Sequence, residues 1–395
     1  MDEIMINLEA LPVLDVAGGE QQSANTEHGA HNSPLKNMSI DPTRRPARPL
    51  ALQNTGETRA LGDGWPPASA ATGVFQQAPK VSVIIPNYNH ERYLSQRIES
   101  VLAQTVRDIE IIILDDASTD NSMSVIDRYA TDTRVRVIPC AVNSGNPFIQ
   151  WNRGVHEARG EYVWIAESDD YADPRLLETL VARLEARPTA VLAYCDSYRV
   201  NAEGVVVEVY KDYYRQIDPM HWTSDFQAVG RDEILNYLLR KNTIPNASAV
   251  LIRKSSYEKA GGAITELRLC GDWLMWIKML LLGDLVYVSE PLNYFRCHGG
   301  NVRSSTGDFT LHKEHYIVLK YVVEHLGLDA KRLKRSLNWI AAGWACSLVE
   351  VRLSISRSVF CDVYRAARLI DPHPGMRLTK YLCLHYPWKI REIIR

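Results

Sequence analysis

The chain has 395 residues, a formal net charge of −2 and 46% hydrophobic residues. That length suggests two or three structural units, and a charge so near zero provides no overall basic field for holding nucleic acid. Its seven cysteines show no Cys-x-x-Cys or Cys/His ligand spacing, so they read as thiols of a reducing compartment, not as a disulfide framework or a zinc site.

Residues 1–79 are mostly small and polar, with a short apolar-rich piece at 4–16. Ordering them would cost backbone entropy that little burial offsets, so a disordered leader is expected. The start, Met1-Asp2-Glu3, lacks the basic region and apolar core of a signal peptide. The most apolar stretches, 273–288 and 337–351, are too short or are broken by Lys278 and Asp284, whereas a membrane span needs roughly 20 apolar residues. The expectation is a cytoplasmic protein.

Order is expected from Lys80 onward. Val81-Ser82-Val83-Ile84-Ile85 reads as a strand, ended by the turn Pro86-Asn87-Tyr88-Asn89. Tyr93, Leu94, Ile98, Val101 and Leu102 then recur at helical spacing. A second strand over 109–114 stops at Asp115-Asp116-Ala117-Ser118-Thr119-Asp120. A helix at 123–129, a strand at 135–139 and a strand at 162–166 continue the alternation, the last ending in Glu167-Ser168-Asp169-Asp170. Such alternation predicts an α/β fold with a mostly parallel sheet and helices on both faces. Right-handed crossovers put the strand-exit loops on one edge, which gathers Tyr88, Asp115, Asp116, Asp169 and Asp170. Open α/β sheets bind ligands at that edge.

Adjacent aspartates repel unless a cation sits with them, and a hard divalent ion carrying a diphosphate suits Asp169 and Asp170. The plainer alternative is a polar loop in which Asp173 caps the next helix and Pro174 starts it; it leaves that pair unexplained. At Asp115-Asp116 a carboxylate could accept a ring N–H, which uracil, thymine and guanine offer and adenine and cytosine do not. Tyr88 could stack on such a base. The alternatives are bonds to loop amides and an ordinary turn tyrosine. No Gly-x-Gly-x-x-Gly or Gly-Lys-Ser/Thr loop follows the first strand, so neither a dinucleotide fold nor a P-loop is indicated.

The ordered set Val83-Ile84-Ile85-Pro86-Asn87-Tyr88-Asn89, Leu114-Asp115-Asp116-Ala117-Ser118-Thr119-Asp120 and Glu167-Ser168-Asp169-Asp170 resembles glycosyltransferase family 2. Ser100-Val101-Leu102-Ala103-Gln104-Thr105 and Gly160-Glu161-Tyr162 match as well, and the resemblance covers roughly residues 80–305. It implies a GT-A fold, a nucleotide-binding α/β domain with a metal-binding carboxylate pair. Carried over by position, Pro86 and Tyr88 would line the base pocket and Asp116 would contact the uracil. Asp169 would lie by the ribose and diphosphate, and Asp170 would hold the metal.

The family also implies a catalytic aspartate at a helix start, where this chain has Cys270-Gly271-Asp272-Trp273. Asp272 is the candidate base. Many members carry Glu-Asp there, and an arginine where this chain has Trp151, so any diphosphate contact by that arginine is missing. Arg296-Cys297-His298-Gly299-Gly300-Asn301-Val302-Arg303 is similar to the family's closing loop. That likeness implies His298 at the metal and Arg296 near the diphosphate, roles their chemistry suits; the alternative is a glycine-rich loop with a solvated His298. The Gln-x-x-Arg-Trp motif of processive synthases is absent, so one sugar per encounter is expected.

Residues 306–395 read as helices, with periodic apolar positions over 309–326, 330–351 and 358–370. In 376–395, Arg377, Lys380, Lys389, Arg391 and Arg395 face Glu392 alone and are interleaved with Tyr381, Tyr386 and Trp388. This suits peripheral contact with the anionic inner face of a membrane, or a bundle helix with a solvated basic face.

The expectation from sequence is therefore an inverting glycosyltransferase that uses Mn2+ or Mg2+ and a nucleotide-diphosphate sugar, with uridine favoured. It would act on a hydroxyl of a glycan or lipid-linked acceptor in polysaccharide or cell-surface glycan biosynthesis. A non-catalytic sugar-nucleotide or glycan-binding module of the same fold is the rival, and Asp272 separates the two. A signalling receiver domain would instead place its acidic pair after the first strand.

Overall fold

A computed structural model describes residues 78–215, 217–299, 307–351 and 355–385. The expected leader lies outside these residues, except for its last two positions. The expected boundary at 305 lies outside them as well.

The first half follows the expected alternation: β1 (Val81–Asn87), α1 (Glu91–Leu102), β2 (Ile109–Asp115), α2 (Ser122–Asp127), β3 (Val135–Pro139), α3 (Pro147–Glu157) and β4 (Tyr162–Ile165). β1, β2 and β4 are buried along their whole length because both faces are covered, whereas β3 is only partly buried. Ile84 and Ile112 enter one apolar layer, while Val83, Ile85, Ile111 and Ile113 enter the other. That is the period of two of a strand buried on both sides. Asn146 caps α3 through the N–H of Phe148 at 2.8 Å, with Pro147 in its first turn. Gly154 lets α3 lie against β1, since a Cβ there would come within 2.4 Å of Ile84.

The second half contains β5 (Tyr171–Ala172), α4 (Leu176–Ala186), β6 (Ala190–Val200), β7 (Val206–Val209), α5 (Lys211–Arg215), β8 (Phe226–Ala228), α6 (Gly230–Glu233), β9 (Val250–Arg253), α7 (Lys254–Lys259), α8 (Gly271–Leu280) and β10 (Asp284–Arg296). Among the described residues the sheet runs β3-β2-β1-β4-β9-β6-β10-β5, with β7 on β6 and β8 on β10. The α/β class with a central sheet holds. Parallel pairing, however, is confined to the four strands of the first half and to β6 with β10. β9 is antiparallel to both β4 and β6, so it is a single reversed strand between two that run the same way.

Four helices follow: α9 (Asp308–Leu326), α10 (Ala330–Glu350), α11 (Arg357–Arg368) and α12 (Pro374–His385). Their buried residues, among them Tyr316, Trp344 and Val363, share one apolar cluster with Trp273 and Trp276 of α8. The described part of the basic C-terminal segment is turned into this bundle. Tyr381 is buried, and Arg377 donates to Asp371 at 2.8 Å and to Asn338 at 2.6 Å. It follows the bundle-helix reading; residues 386–395 lie outside the described residues. No helix among the described residues is long and apolar enough to cross a membrane.

Candidate active site

Parallel register sets Asn87 beside Asp115 at the strand exits. Asp115 accepts from Asn87 Nδ2 at 2.8 Å, from the Ser118 amide at 3.0 Å and from Ser118 Oγ at 2.6 Å, so it pins the loop. Asp116 is buried and accepts from the Ser144 amide at 3.0 Å, Ser144 Oγ at 2.7 Å and Gln150 Nε2 at 2.6 Å. The Ser144 amide lies 3.0 Å from both oxygens, so each already meets two donors and a base N–H would have to share or displace one of them. Pro86 is buried inside β1, while Tyr88 is 43% exposed at its exit. Between the two aspartates and Ser118, Ala117 is held at φ 60°, a left-handed conformation that L side chains disfavour.

The acidic turn after β4 is built differently from the sequence expectation. His298 Nε2 lies 3.0 Å from Asp169 Oδ2, and His90 Nδ1 lies 2.7 Å from Ser168 Oγ. One ligand atom each from His90, Asp169 and His298 falls within 4.8 Å of the others. Two imidazoles and a carboxylate suit a divalent first-row ion. Asp170, expected to hold the metal, turns inward and is 1% exposed. Its Oδ1 accepts the Arg296 amide at 2.8 Å and its Oδ2 accepts Asn246 Nδ2 at 3.0 Å. In this turn His298 meets Asp169, while Asp170 is held by the Arg296 amide and by Asn246.

Arg296 also holds this turn. Its guanidinium, expected near the diphosphate, is buried and donates to the Asp169 carbonyl at 2.7 Å, the Ala202 carbonyl at 2.9 Å and Gln96 Oε1 at 2.6 Å. It ties the acidic turn to α1 and to the β6–β7 turn.

Beneath the turn lies Arg97, fully buried, with Nε donating to the Glu167 carbonyl at 2.8 Å and a terminal nitrogen 3.9 Å from Asp170. Burial lowers its pKa to about 10, which leaves it charged at neutral pH. Burial opposes the charge on Asp169, but the His298 hydrogen bond and the His90 field hold its carboxyl below the ordinary value. Burial, and then the Asp169 charge, push Asp170 up. The same two causes push Glu167 up to about 8, against a 2.9 Å hydrogen bond from Trp151 Nε1. Trp151, which replaces the family's arginine, therefore serves Glu167. Sequence reasoning missed His90, Arg97 and Asn246. A histidine just past the Tyr88-Asn89 turn, on the edge that gathers the aspartates, was the signal available for the first.

Asp272 stands in the first turn of α8. Its Oδ2 accepts Asn242 Nδ2 at 2.9 Å, and its Oδ1 accepts the Trp273 amide at 2.6 Å. Gly271 has a packing reason: a Cβ there would come within 2.3 Å of the Phe148 ring. Four positions beyond Asn242, Asn246 holds Asp170. Asn242 and Asn246 can be no more than about 15 Å apart at Cα, so one short segment keeps both carboxylates in one neighbourhood.

Comparison with known proteins fits this arrangement. The family model "Glycosyl transferase family 2" matches residues 82–261. Glycosyltransferase GlyG of Streptococcus pneumoniae serotype 4 is 39% identical over 277 residues, which is 69% of this chain and 77% of that protein. The chain belongs to glycosyltransferase family 2. Chondroitin synthase of Pasteurella multocida is 34% identical over 246 residues, covering 62% of this chain and 23% of that protein. The crystal structure of Staphylococcus aureus TarS 1–349 in complex with UDP-GlcNAc superposes with a TM-score of 0.55 at 18% identity, over 80% of this chain and 88% of that one. The GT-A fold expected from the motifs is thereby shown, and this member of family 2 is a glycosyltransferase.

Proposed function

We propose that this family 2 glycosyltransferase is an inverting enzyme that moves one sugar from a UDP-sugar to a hydroxyl of a glycan or lipid-linked acceptor. The observation that carries the reading is the Asn242–Asn246 segment. It orients Asp272 with one asparagine and braces the acidic turn with the other. A base and a diphosphate site held in register are what a single displacement needs.

Asp272 takes the proton of the acceptor hydroxyl as that oxygen bonds to the anomeric carbon. The bond from that carbon to the diphosphate oxygen breaks on the opposite face, and the electron pair leaves with UDP. Asn242 fixes the carboxylate so that an oxygen faces the acceptor. Asp169, His298 and His90 would hold a divalent ion, Mn2+ or Mg2+, which when bound neutralises charge on the leaving diphosphate. Asp170, Arg97 and Arg296 keep the turn that presents Asp169 in place.

Two findings support uridine. Asp116 offers an acceptor suited to the N3–H of uracil, and TarS, which shares the fold, was crystallised with UDP-GlcNAc. The test is a panel of UDP-, dTDP- and GDP-sugars with Mn2+ or Mg2+, reading release of the nucleoside diphosphate with water as acceptor. UDP-sugars should turn over with either ion and stop with a chelator. Turnover confined to GDP-sugars, or unaffected by the chelator, would overturn the donor and metal assignments.

A further inference from the structure

The segment 268–270, which leads into α8, folds around one side chain from far along the chain. Glu314 of α9 is 1% exposed. Its Oε1 accepts the Arg268 amide at 2.9 Å, and its Oε2 accepts the Leu269 and Cys270 amides, both at 2.8 Å. Three charge-assisted hydrogen bonds to successive backbone amides are enough to hold a buried carboxylate and to fix the local chain. Cys270 directly precedes α8, and Asp272 follows two residues later. The opposite side of this entry is tied as well: Asn146 Nδ2 donates to the Thr265 carbonyl at 2.7 Å and to the Leu267 carbonyl at 3.1 Å.

Gly271 sharpens the point. The Phe148 ring fills the space a side chain would need there, so no acidic neighbour can stand beside Asp272 on α8. A carboxylate at the start of a helix is favoured by the helix dipole. Asp272 is one such carboxylate and Glu314 brings a second from the C-terminal helices; α9 packs on α8 directly, with His315 edge-on to Trp273 at 4.9 Å between ring centroids.

We infer that Glu314 is a positioning residue for Asp272, through which the C-terminal helices set the placement of the acceptor base; this rests on the reading of Asp272 as that base. Glutamine cannot replace Glu314. Whichever way the amide turns, its NH2 group meets at least one of the three backbone N–H groups.

The test uses the full chain and the UDP-sugars of the panel above, UDP-GlcNAc first, with Mn2+. Glu314→Gln should lower kcat for UDP release by ~10–100-fold, the scale of a small misplacement of a reacting group. Donor KM should stay within about two-fold, since donor contacts are untouched. In an Asp272→Asn background, adding Glu314→Gln should change the residual rate by less than about two-fold, because the residue it positions is already gone. An equal loss in both backgrounds would show a merely structural role and overturn the inference. Where Glu314→Gln does not fold, Glu314→Asp keeps the charge and withdraws the carboxylate; wild-type kcat in that variant overturns the inference too. Near-normal turnover by Asp272→Asn alone fails differently: it removes the base and any positioning role with it.

Discussion

Asn246 donates to Asp170 at 3.0 Å from a segment that, four positions earlier, holds Asp272 through Asn242. The same segment continues to Ser248, whose Oγ accepts the Glu167 amide at 3.0 Å and whose carbonyl accepts Trp164 Nε1 at 2.8 Å. Trp276 of α8 in turn donates to the Ile244 carbonyl at 3.1 Å. The strand that carries the acidic turn and the helix that carries Asp272 are therefore fastened to one short piece of chain.

The cluster of His90, Asp169 and His298 gives the first prediction. His90→Ala and Asp169→Asn should each weaken Mn2+-dependent UDP binding by at least ~10–100-fold, the range in which even supporting groups of a metal site act. Calorimetry of UDP with and without Mn2+ measures it. Unchanged metal enhancement in both variants would remove the His90, Asp169 and His298 group from the site.

Arg296 should behave as a brace. Arg296→Leu strips donors from the Asp169 and Ala202 carbonyls and from Gln96 Oε1. Each buried acceptor left unmatched lowers stability by about 1–3 kcal/mol. Thermal melts should show it plainly, while metal-free UDP affinity of the folded protein should move by less than about three-fold. A large loss of UDP affinity with an unaltered melt would restore Arg296 as a diphosphate ligand.

These placements show where the sequence stops informing. The parallel half was legible because continuous apolar runs such as Val81–Asn87 need cover on both faces and can only be inner strands. The insertion of β9 between β4 and β6 was not, since its pairing depends on contacts made across about ninety residues of chain. Within the site, the identities of Asp169, Asp170, Arg296 and His298 were legible, but not their directions. Asp169 and Asp170 lie in a turn past the end of β4, where no strand period fixes direction, and only the partners Arg296 N–H and Asn246 decide that Asp170 is the one turned inward.

His312 of α9 predicts a pH dependence of stability. Burial lowers its pKa to about 4, and its Nε2 lies 2.9 Å from Ser347 Oγ. The unfolded chain therefore binds a proton more readily than the folded one between the ordinary value of 6.5 and about 4. Stability should fall as pH drops through that window, by an amount on the order of 3 kcal/mol from this residue. His312→Gln should flatten the difference between melts at pH 7 and pH 4.5. An identical acid-side loss in that variant would exclude His312 as its source.

Ala117 is held at φ 60° in the loop after Asp116. A left-handed L-residue costs roughly 1–2 kcal/mol, and glycine relieves this at about 0.5–1 kcal/mol of chain entropy. Ala117→Gly should therefore raise stability by a few tenths to ~1 kcal/mol, visible as a higher denaturant midpoint at unchanged slope. A lower midpoint would mean that the loop is not strained.

Asp272→Asn measures the central claim most directly. Asparagine keeps the shape and can accept the Trp273 amide or Asn242 Nδ2 through its one oxygen, though not both, and it cannot take a proton. Mn2+-dependent UDP affinity and the melt should stay close to wild type, while sugar release from a UDP-sugar should fall by at least ~10²–10⁴-fold. Near-normal turnover with an unchanged melt would contradict the account, leaving Asp272 as a helix-start side chain and the base elsewhere.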